Sequence, residues 1–392
     1  MLHVVTAFPT TEDDVITPWL VELLKRLRAL GHDVEVFTSS YKGARDQVFA
    51  GIPVHRFRYF PRRWENLTHE ETAPDRMKKS LLYRVMPFPF VLAGMFAIWR
   101  LCRRQRYDVI HVHWPLPLAL FGWAAQKARA APLITTFYGV ELRWVKSSLR
   151  FLKRFVAWAA RRSDRVVAIS SYTAAELREL AEVPVEVIPY TAELPAPKPS
   201  RRARQPTAKT ILFVGRLVER KGVAFLIDAL SRLRIPAELV VIGEGAERVR
   251  LQDVARRRGV ADRVTFRGKV SDAELRRAYQ TADVFVLPAT LDARGDTEGL
   301  GVVLLEAMNY GVPVIASNVG GIVDIVVHGQ TGILVRPGDA AALATALDRV
   351  LGDPELARRY GAAGRERLRN DFSWEAITRR WDALYNSLTK RS

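Results

Sequence analysis

Cysteine is almost absent from this chain of 392 residues, since Cys102 is the only one. A single cysteine excludes an intrachain disulfide and indicates a reducing compartment. The apolar stretch 85–99 has fifteen uncharged residues and two prolines, fewer than the roughly 18 to 20 residues that a membrane-spanning helix needs. Residues 1–5 enter a strand-like run without a basic region or a cleavage site, so we expect no signal peptide and a cytoplasmic protein.

The overall composition is typical of a soluble globular protein. Hydrophobic residues make up 48% of the chain and charged residues 26%. The length suits two domains of about 190 residues, each large enough for its own core. The segment from Leu194 to Ala208 is rich in proline and charge and has no periodicity, which indicates a linker. We predict an N-terminal domain 1–195, a linker 196–208, a C-terminal domain 209–373 and a final helix 374–392.

Positive charge is concentrated in one region of the chain. The net charge is +18, and residues 56–165 alone contain 22 Lys/Arg against 7 Asp/Glu, a net charge of +15. Such a field favours anionic partners: a phosphorylated substrate, an acidic lipid surface or nucleic acid. The basic amphipathic stretches 77–106 and 147–165 are candidates for contact with a lipid surface. Helices packed on a sheet with solvated charges, or a GC-rich or heat-adapted source, would also explain this composition.

Apolar, β-branched runs alternate with longer helical segments in both halves of the chain. The first run is Leu2–Phe8, and the second half opens with Ile211–Val214. This alternation predicts an α/β protein with a doubly wound, parallel sheet in each half. Ligands of such sheets bind at the carboxyl ends of the strands, so the loops that follow the strands are the candidate sites.

One such loop leads from a strand into a helix near residue 301. It contains Glu298 and the sequence Gly299-Leu300-Gly301, and Glu306 follows within the apolar helix. The free N–H groups at the helix start form a ready phosphate site, and the glycines permit close approach. Burying the carboxylate of Glu306 costs several kcal/mol unless it is paired or bound to a ligand. Ligand hydroxyls and an internal salt bridge are the two alternatives.

Two cations follow the first strand of the second half. Arg216 and Lys221 stand five positions apart ahead of a helix, and fixed cations at a strand end suit a diphosphate. Further along, Gly243-Glu244-Gly245 joins a strand to a helix. The third glycine of a dinucleotide-binding turn is missing there, which weakens a nicotinamide interpretation.

Candidate residues in the first half lie on one strand and two loops. His111 and His113 share a strand face, and no cysteine or carboxylate pattern accompanies them, so we predict no metal site. The loop 9–18, which includes Thr11, has three acids and no glycine. It either binds substrate hydroxyls or caps the following helix. Tyr138 follows another strand and is placed to hydrogen-bond or stack on a substrate.

The sequence E-G-L-G-V-V-L-L-E-A-M-N-Y-G-V-P-V-I-A-S resembles the E-x7-E signature of the retaining glycosyltransferases of family 4. These enzymes have the GT-B fold, in which two Rossmann-like domains face a deep cleft and the last helix crosses back to the N-terminal domain. The resemblance implies that Glu306 holds the ribose of the nucleotide and Glu298 the transferred sugar. The amides of Gly299, Leu300 and Gly301 would face the diphosphate or the sugar.

Other parts of the chain carry the same resemblance. Gly215-Arg216 to Lys221-Gly222 is similar to the G-R-x-x-x-x-K-G motif, whose cations neutralise the leaving diphosphate. The turn at Gly243 and Glu244 would face the nucleotide. His113 matches the second histidine of D-x-x-H-x-H, which reaches the transferred sugar, whereas Tyr138 stands where a histidine is usual.

We therefore expect a retaining glycosyltransferase that moves a sugar from a nucleoside-diphosphate sugar to a glycan, lipid-linked or phosphorylated acceptor without a metal or other cofactor. An anionic membrane surface, at the inner face of the cell membrane, is an open further partner. The alternatives are a basic nucleic-acid-binding protein and a nucleotide-sugar epimerase or oxidoreductase of similar architecture. Nucleic acid is not the expected partner, because no stacking aromatics are interleaved on a basic strand face.

Overall fold

The structure is a computed structural model that describes residues 1–14, 16–69, 73–147, 149–192, 208–293 and 295–389. The chain divides into two compact units. The first comprises Met1–Ile169, Thr173–Ile188 and the chain from Ile377, and the second comprises Ser170–Tyr172 and Pro189–Ala376. The predicted linker lies outside the described residues except for Ala208. The predicted domain boundaries stay predictions.

The first unit is built on a sheet of eight strands among the described residues. In chain order these are β1 (Leu2–Val4), β2 (Glu35–Ser39), β3 (Gln47–Phe49), β4 (Ile52–Phe57), β5 (Ile110–His113), β6 (Leu133–Phe137), β7 (Arg165–Ala168) and β8 (Glu186–Val187). Their spatial order is β3-β4-β2-β1-β5-β6-β7-β8. Each neighbouring pair is parallel except β3 and β4, which form an antiparallel hairpin at the edge.

The second unit contains a six-stranded sheet within the same described ranges. Its strands are β9 (Lys209–Val214), β10 (Ala237–Ile242), β11 (Val264–Gly268), β12 (Val284–Leu287), β13 (Val314–Ser317) and β14 (Gly332–Val335). The spatial order is β11-β10-β9-β12-β13-β14, and every pair is parallel. The strand order reverses between β9 and β12. A crevice at the carboxyl ends of these two strands is therefore the expected ligand position.

Helices connect the strands in both units. Up to residue 178 they are α1 (Pro18–Ala29), α2 (Ala73–Lys79), α3 (Leu81–Val85), α4 (Pro87–Arg104), α5 (Pro115–Ala128), α6 (Val140–Ser147), α7 (Lys153–Arg162) and α8 (Ser171–Arg178). The others are α9 (Val223–Ser231), α10 (Arg248–Arg257), α11 (Asp272–Thr281), α12 (Val302–Asn309), α13 (Ile322–Ile325), α14 (Ala340–Gly352), α15 (Pro354–Arg367) and α16 (Trp374–Thr389). The predicted α/β class, with a doubly wound sheet in each half, is confirmed.

The helical run around α4 corrects one expectation from the sequence. Within the described residues, Leu81–Arg104 is long and apolar enough to cross a membrane when judged by length and composition alone. The fifteen residues predicted from the sequence end at the charged residues Arg84 and Arg100. The helical run Leu81–Arg104 includes both of these charges and has 24 residues. Cys102 near its end is buried, and burial raises the pKa of its thiol to about 12.

Candidate active site

The loops that follow β9 and β12 bring a predicted cation and a predicted carboxylate into contact. Lys221 ends a short 3-10 turn after β9, and its Nζ donates a hydrogen bond to Oε2 of Glu298. Both side chains are largely buried, so this ion pair is well shielded from solvent. Two residues that are 77 positions apart in the chain thus meet where the strand order reverses.

Arg220, which was not predicted from the sequence, adds a second cation to this ion pair. Its Nη1 lies 3.4 Å from Oε2 of Glu298 and donates to the carbonyl of Thr297 at 3.3 Å. Its Nε is 3.5 Å from Oδ2 of Asp296. The dibasic pair ahead of a glycine was the available signal. Arg216, by contrast, has an exposed side chain that forms no hydrogen bond or ion pair with the described residues.

The backbone after Glu298 is held by a pair of glycines that follow β13. The N–H of Gly321 donates to the carbonyl of Glu298 at 2.9 Å. A Cβ on Gly321 would lie 2.1 Å from the carbonyl oxygen of Gly299, so only glycine fits there. Leu300, between the two glycines of the loop, is buried.

Helix α12 begins next to this loop without a capping side chain. Its N-cap is Gly301, which has no side chain to accept a hydrogen bond from the first amides. Those N–H groups and the positive end of the helix dipole suit a phosphate or a sugar oxygen. The prediction that the helix starts near Gly301 is confirmed.

Glu306 lies in the second turn of α12 and is bound by a tyrosine. The hydroxyl of Tyr279 donates to Oε2 of Glu306 at 2.7 Å. Burial raises the pKa of the Glu306 carboxyl, and the Tyr279 hydrogen bond partly opposes that rise. Among the described residues no cation forms an ion pair with Glu306, so the alternative of an internal salt bridge is wrong. Tyr279, which was not predicted from the sequence, is buried in α11.

Gly243 brings the ends of β9 and β10 together. It has φ of +130°, and a Cβ there would lie 2.0 Å from the carbonyl oxygen of Gly215. The neighbouring Glu244 is exposed, and its Oε1 pairs with Arg248 at 2.8 Å. The backbone of this turn therefore packs against the end of β9, just before Arg216. The carboxylate of Glu244 is paired with Arg248.

In the first unit, His113 lies in a buried cluster of histidines. Its Nε2 is 3.1 Å from Nδ1 of His3, and its Nδ1 is 2.8 Å from the hydroxyl of Tyr138. His111 lies between the hydroxyls of Tyr385 and Thr136, at 2.8 Å from each. His3 was missed because it is far away in sequence, but β1 pairs with β5 in a register that sets it opposite His111.

Burial keeps this histidine cluster neutral. Burial lowers the pKa of His113 to about 3, and it also lowers the pKa of His3 and of His111 well below the usual value. One ligand nitrogen from each ring lies within 4.8 Å of the others, a spacing that a metal ion can use. Five of the six ring nitrogens already have hydrogen-bond partners, and His3 Nε2 is the exception. The predicted lack of a metal site stays a prediction.

The loop with Thr11 does not cap α1. The N-cap of that helix is Thr17, and no side chain caps it. Asp14 instead accepts hydrogen bonds from the amide of Thr10 at 3.0 Å and from His69 at 2.8 Å. The capping alternative is therefore wrong. Thr11 itself is exposed.

Tyr138 stands among aromatic rings at the end of β6. Its ring stacks on Trp114 with 4.4 Å between the ring centroids, and Trp19 lies 5.3 Å away. With the hydrogen bond to His113, these contacts give the tyrosine a fixed orientation.

Comparison with known proteins assigns both halves of the chain. The family described as "Glycosyl transferases group 1" matches residues 198–367, and "Glycosyl transferase 4-like domain" matches residues 16–191. Glycogen synthase of Mycobacterium tuberculosis is 33% identical over 90% of this chain and 86% of its own. A GDP-mannose-dependent alpha-(1-6)-phosphatidylinositol monomannoside mannosyltransferase of the same organism is 32% identical over 88% and 91%.

Solved structures share the fold. Sucrose-phosphate synthase from Thermosynechococcus elongatus has a TM-score of 0.74 and 27% identity, and the match covers 100% of this chain and 99% of that chain. HepE of Anabaena, solved in complex with UDP and glucose, has a TM-score of 0.70 at 20% identity over 98% and 99% of the two chains.

The chain therefore belongs to the glycosyltransferases of the family 4 type, and its fold is GT-B. It is a hexosyltransferase. The predicted family, fold and enzyme class are confirmed, and these relatives do not favour a nucleic-acid-binding protein or an epimerase.

Proposed function

We propose that this glycosyltransferase moves a hexosyl group from a nucleoside-diphosphate sugar to a carbohydrate or lipid-linked acceptor, with retention of the anomeric configuration. The contact between Lys221 and Glu298 carries the proposal. It places a buried cation and a carboxylate at the reversal point of the second sheet, beside the uncapped start of α12. The GDP-mannose dependence in the name of one relative supports a nucleotide-sugar donor.

The diphosphate of the donor is the ligand for the cations in this proposal. An ammonium group has three donors, so Lys221 can keep Glu298 and also bind a phosphate oxygen. The exposed guanidinium of Arg216 and the first amides of α12 are further donors. Glu306 accepts hydrogen bonds from the ribose hydroxyls. These bonds replace the ones to water that its carboxylate loses on burial. The turn at Gly243 and Glu244 faces the nucleotide.

The proposed transfer proceeds on one face of the sugar. The acceptor oxygen bonds to the anomeric carbon on the side from which the diphosphate departs, and the bond from that carbon to the diphosphate oxygen breaks. The acceptor's proton passes to an oxygen of the leaving diphosphate. Arg216, Lys221 and the α12 amides stabilise the charge that develops there. These cations take the role of the metal ion in this proposal, and Glu298 orients the sugar.

His113 and Tyr138 act in the proposal by hydrogen bonding. The pKa of about 3 keeps His113 neutral at physiological pH, so it does not serve as an imidazolium acid. Tyr138 occupies one nitrogen of the ring, and a sugar hydroxyl that reaches His113 would take the place of the tyrosine hydroxyl. Thr11, which is exposed in the loop 9–18, is the proposed contact for the acceptor.

A thermal-shift screen with UDP, GDP and ADP sugars tests the donor site. A ligand at 100 times its dissociation constant adds about 2.7 kcal/mol to stability. We expect one base to raise the melting temperature, Glu306→Ala to abolish the rise and Glu298→Ala to spare it while transfer is lost. Glu355→Ala, at an exposed glutamate of α15, is the control. The proposal fails if no nucleotide sugar shifts the wild-type protein, or if Glu306→Ala responds like the control.

The acceptor and the location complete the proposal. The phosphatidylinositol monomannoside in the name of one relative and the glycogen in the name of another support lipid-linked and glycan acceptors as the two classes to assay. A cytoplasmic location, with contact to the inner face of the cell membrane, is supported by the single cysteine and by the basic excess of residues 56–165.

A further inference from the structure

Helix α4 has two apolar faces, and one of them belongs to the core of the first unit. Phe90, Gly94, Ile98 and Cys102 are buried on that face. A Cβ on Gly94 would lie 2.2 Å from the ring of Phe121 in α5, so the two helices pack closely. This face fixes α4 to the rest of the unit.

The other apolar face is exposed to solvent. Phe88, Leu92, Phe96 and Trp99 form an apolar stripe with relative exposures of 71%, 69%, 64% and 40%. Their spacing of four, four and three residues sets them on one side of the helix. A contiguous exposed apolar surface of this kind marks an interaction site rather than ordinary surface.

Positive charge brackets the apolar stripe. Residues 77–106 contain seven Lys/Arg and no acidic residue. Arg84 precedes the stripe, and Arg100, Arg103 and Arg104 are exposed at its end. The guanidinium of Arg103 lies 5.7 Å from the ring centre of Trp99. Large apolar side chains between cations complement the interior and the headgroups of an anionic lipid surface.

We propose that the apolar stripe of α4 lies in the plane of an anionic membrane surface, with Phe88, Leu92 and Phe96 inserted among the lipids. The helix lies on the membrane rather than across it, because a spanning helix would have to withdraw Phe90 and Ile98 from the core. Only 22% of the most apolar window of Leu81–Arg104 is buried, unlike a core helix. This inference rests on the location given in the proposed function and names the surface that makes the contact, and it is independent of sugar transfer.

Vesicle flotation without donor or acceptor tests the proposal. The full chain is mixed with vesicles of phosphatidylcholine, or of phosphatidylcholine with about one third phosphatidylglycerol. We expect binding to the anionic vesicles to be at least roughly tenfold stronger, and to weaken as salt is raised. The variant Phe88→Ser/Leu92→Ser/Phe96→Ser should lose roughly tenfold or more of this binding.

Two matched variants serve as controls. Val48→Ser/Val249→Ser changes residues that are 70% and 69% exposed elsewhere on the chain, and it should leave binding intact. Arg100→Gln/Arg103→Gln/Arg104→Gln should weaken binding to anionic vesicles by roughly tenfold or more, whereas Arg358→Gln at an exposed arginine should not. If the triple serine variant does not fold, the single change Leu92→Glu at an exposed position replaces it.

Other outcomes overturn the proposal. The proposal is wrong if the wild-type chain does not float with anionic vesicles. It is also wrong if the Val48/Val249 control loses as much vesicle binding as the triple serine variant. A dimer that the stripe variant converts to a monomer, without vesicle binding by either, assigns the face to a second copy instead. The failure of sugar transfer with intact vesicle binding would leave this inference standing.

Discussion

The hydroxyl of Tyr279 donates a 2.7 Å hydrogen bond to the carboxylate of Glu306, from one helix to the next. Burial raises the pKa of that carboxyl, and the tyrosine is the only described side chain that opposes the rise. The ring of Tyr279 stacks in turn on Tyr310, with 5.5 Å between ring centroids. Stacking on Tyr310 thus fixes the position of the Tyr279 hydroxyl. That hydroxyl donates the hydrogen bond that stabilises the ionised carboxylate of Glu306 within an apolar helix.

Tyr279→Phe should destabilise the protein and weaken donor binding. Loss of a hydrogen bond to a buried carboxylate costs about 1.5–3 kcal/mol. The carboxyl of Glu306 would also become harder to ionise, so the thermal shift caused by a nucleotide sugar should shrink. Urea denaturation and the thermal-shift assay measure the two effects. Tyr310→Phe is the control, because the Tyr310 hydroxyl is buried without a hydrogen-bond partner among the described residues. An equal loss in both variants would contradict the prediction.

Lys221→Met should reduce turnover more than stability. Methionine keeps much of the side-chain volume but removes the charge that faces the diphosphate, and the loss of one such donor typically lowers kcat by about 10² to 10³. Arg220 remains beside Glu298, so the carboxylate keeps a cation. Steady-state transfer rates with saturating donor measure the effect. Lys269→Met at an exposed lysine is the matched control. Wild-type turnover in Lys221→Met would refute the assigned role.

The buried histidines should make the protein sensitive to acid. The pKa of His3, His111 and His113 is lowered in the folded state, so the unfolded chain binds more protons below about pH 6.5. Stability is therefore complete above that pH and falls as the pH drops towards the folded values. The slope is at most about 1.4 kcal/mol per pH unit for each histidine.

Urea denaturation between about pH 7.5 and pH 5 measures this slope. The slope reports how many more protons the unfolded chain binds than the folded protein. His3→Gln should lower this difference by roughly one proton, because only two buried histidines then remain. An unfolding free energy that does not change over this pH range would contradict the burial of the cluster.

Gly243→Ala should be far more costly than an ordinary change from glycine to alanine. The added Cβ meets the carbonyl oxygen of Gly215 at 2.0 Å, and the backbone must move. Gly329 also has positive φ, +75°, but has nothing within 4 Å of such a Cβ, so Gly329→Ala should cost only about 1–2 kcal/mol of strain. We expect roughly twice that loss or more in Gly243→Ala, with weaker nucleotide binding. Chemical denaturation of the pair decides, and equal losses would contradict the close approach.

The sequence was most informative where a site residue follows a strand. Lys221 and Glu298 were both predicted because each stands in a loop after a recognisable apolar strand, and the structure brings them together. Tyr279 and His3 could not be found in this way. Their roles depend on which helix or strand lies beside α12 or β5, and that is set by the packing and register of the whole sheet. Arg220 was overlooked because the predicted motif is defined by the spacing of Arg216 and Lys221.

Strand β3 was missed for a related reason. Its three residues are too few to show an alternating pattern, and its pairing with β4 depends on a tight turn between them. The salt-bridge alternative for Glu306 was excluded only by the contacts, since a salt-bridged glutamate and a tyrosine-bound glutamate look the same in sequence. The role of Glu306 in binding ligand hydroxyls stays a prediction. The roles assigned to all the predicted site residues stay predictions, including those of Arg216, Gly243 and Thr11.

Helix α16 contributes to the first unit from Ile377 onwards. The hydroxyl of Tyr385 binds His111, the ring of Trp381 lies 4.9 Å from the same histidine, and Asp382 accepts from His32 at 2.7 Å. A fragment that ends before the second unit would lack all three contacts. Co-translational folding of the first unit therefore cannot finish until α16 has left the ribosome, although most of that unit is synthesised first.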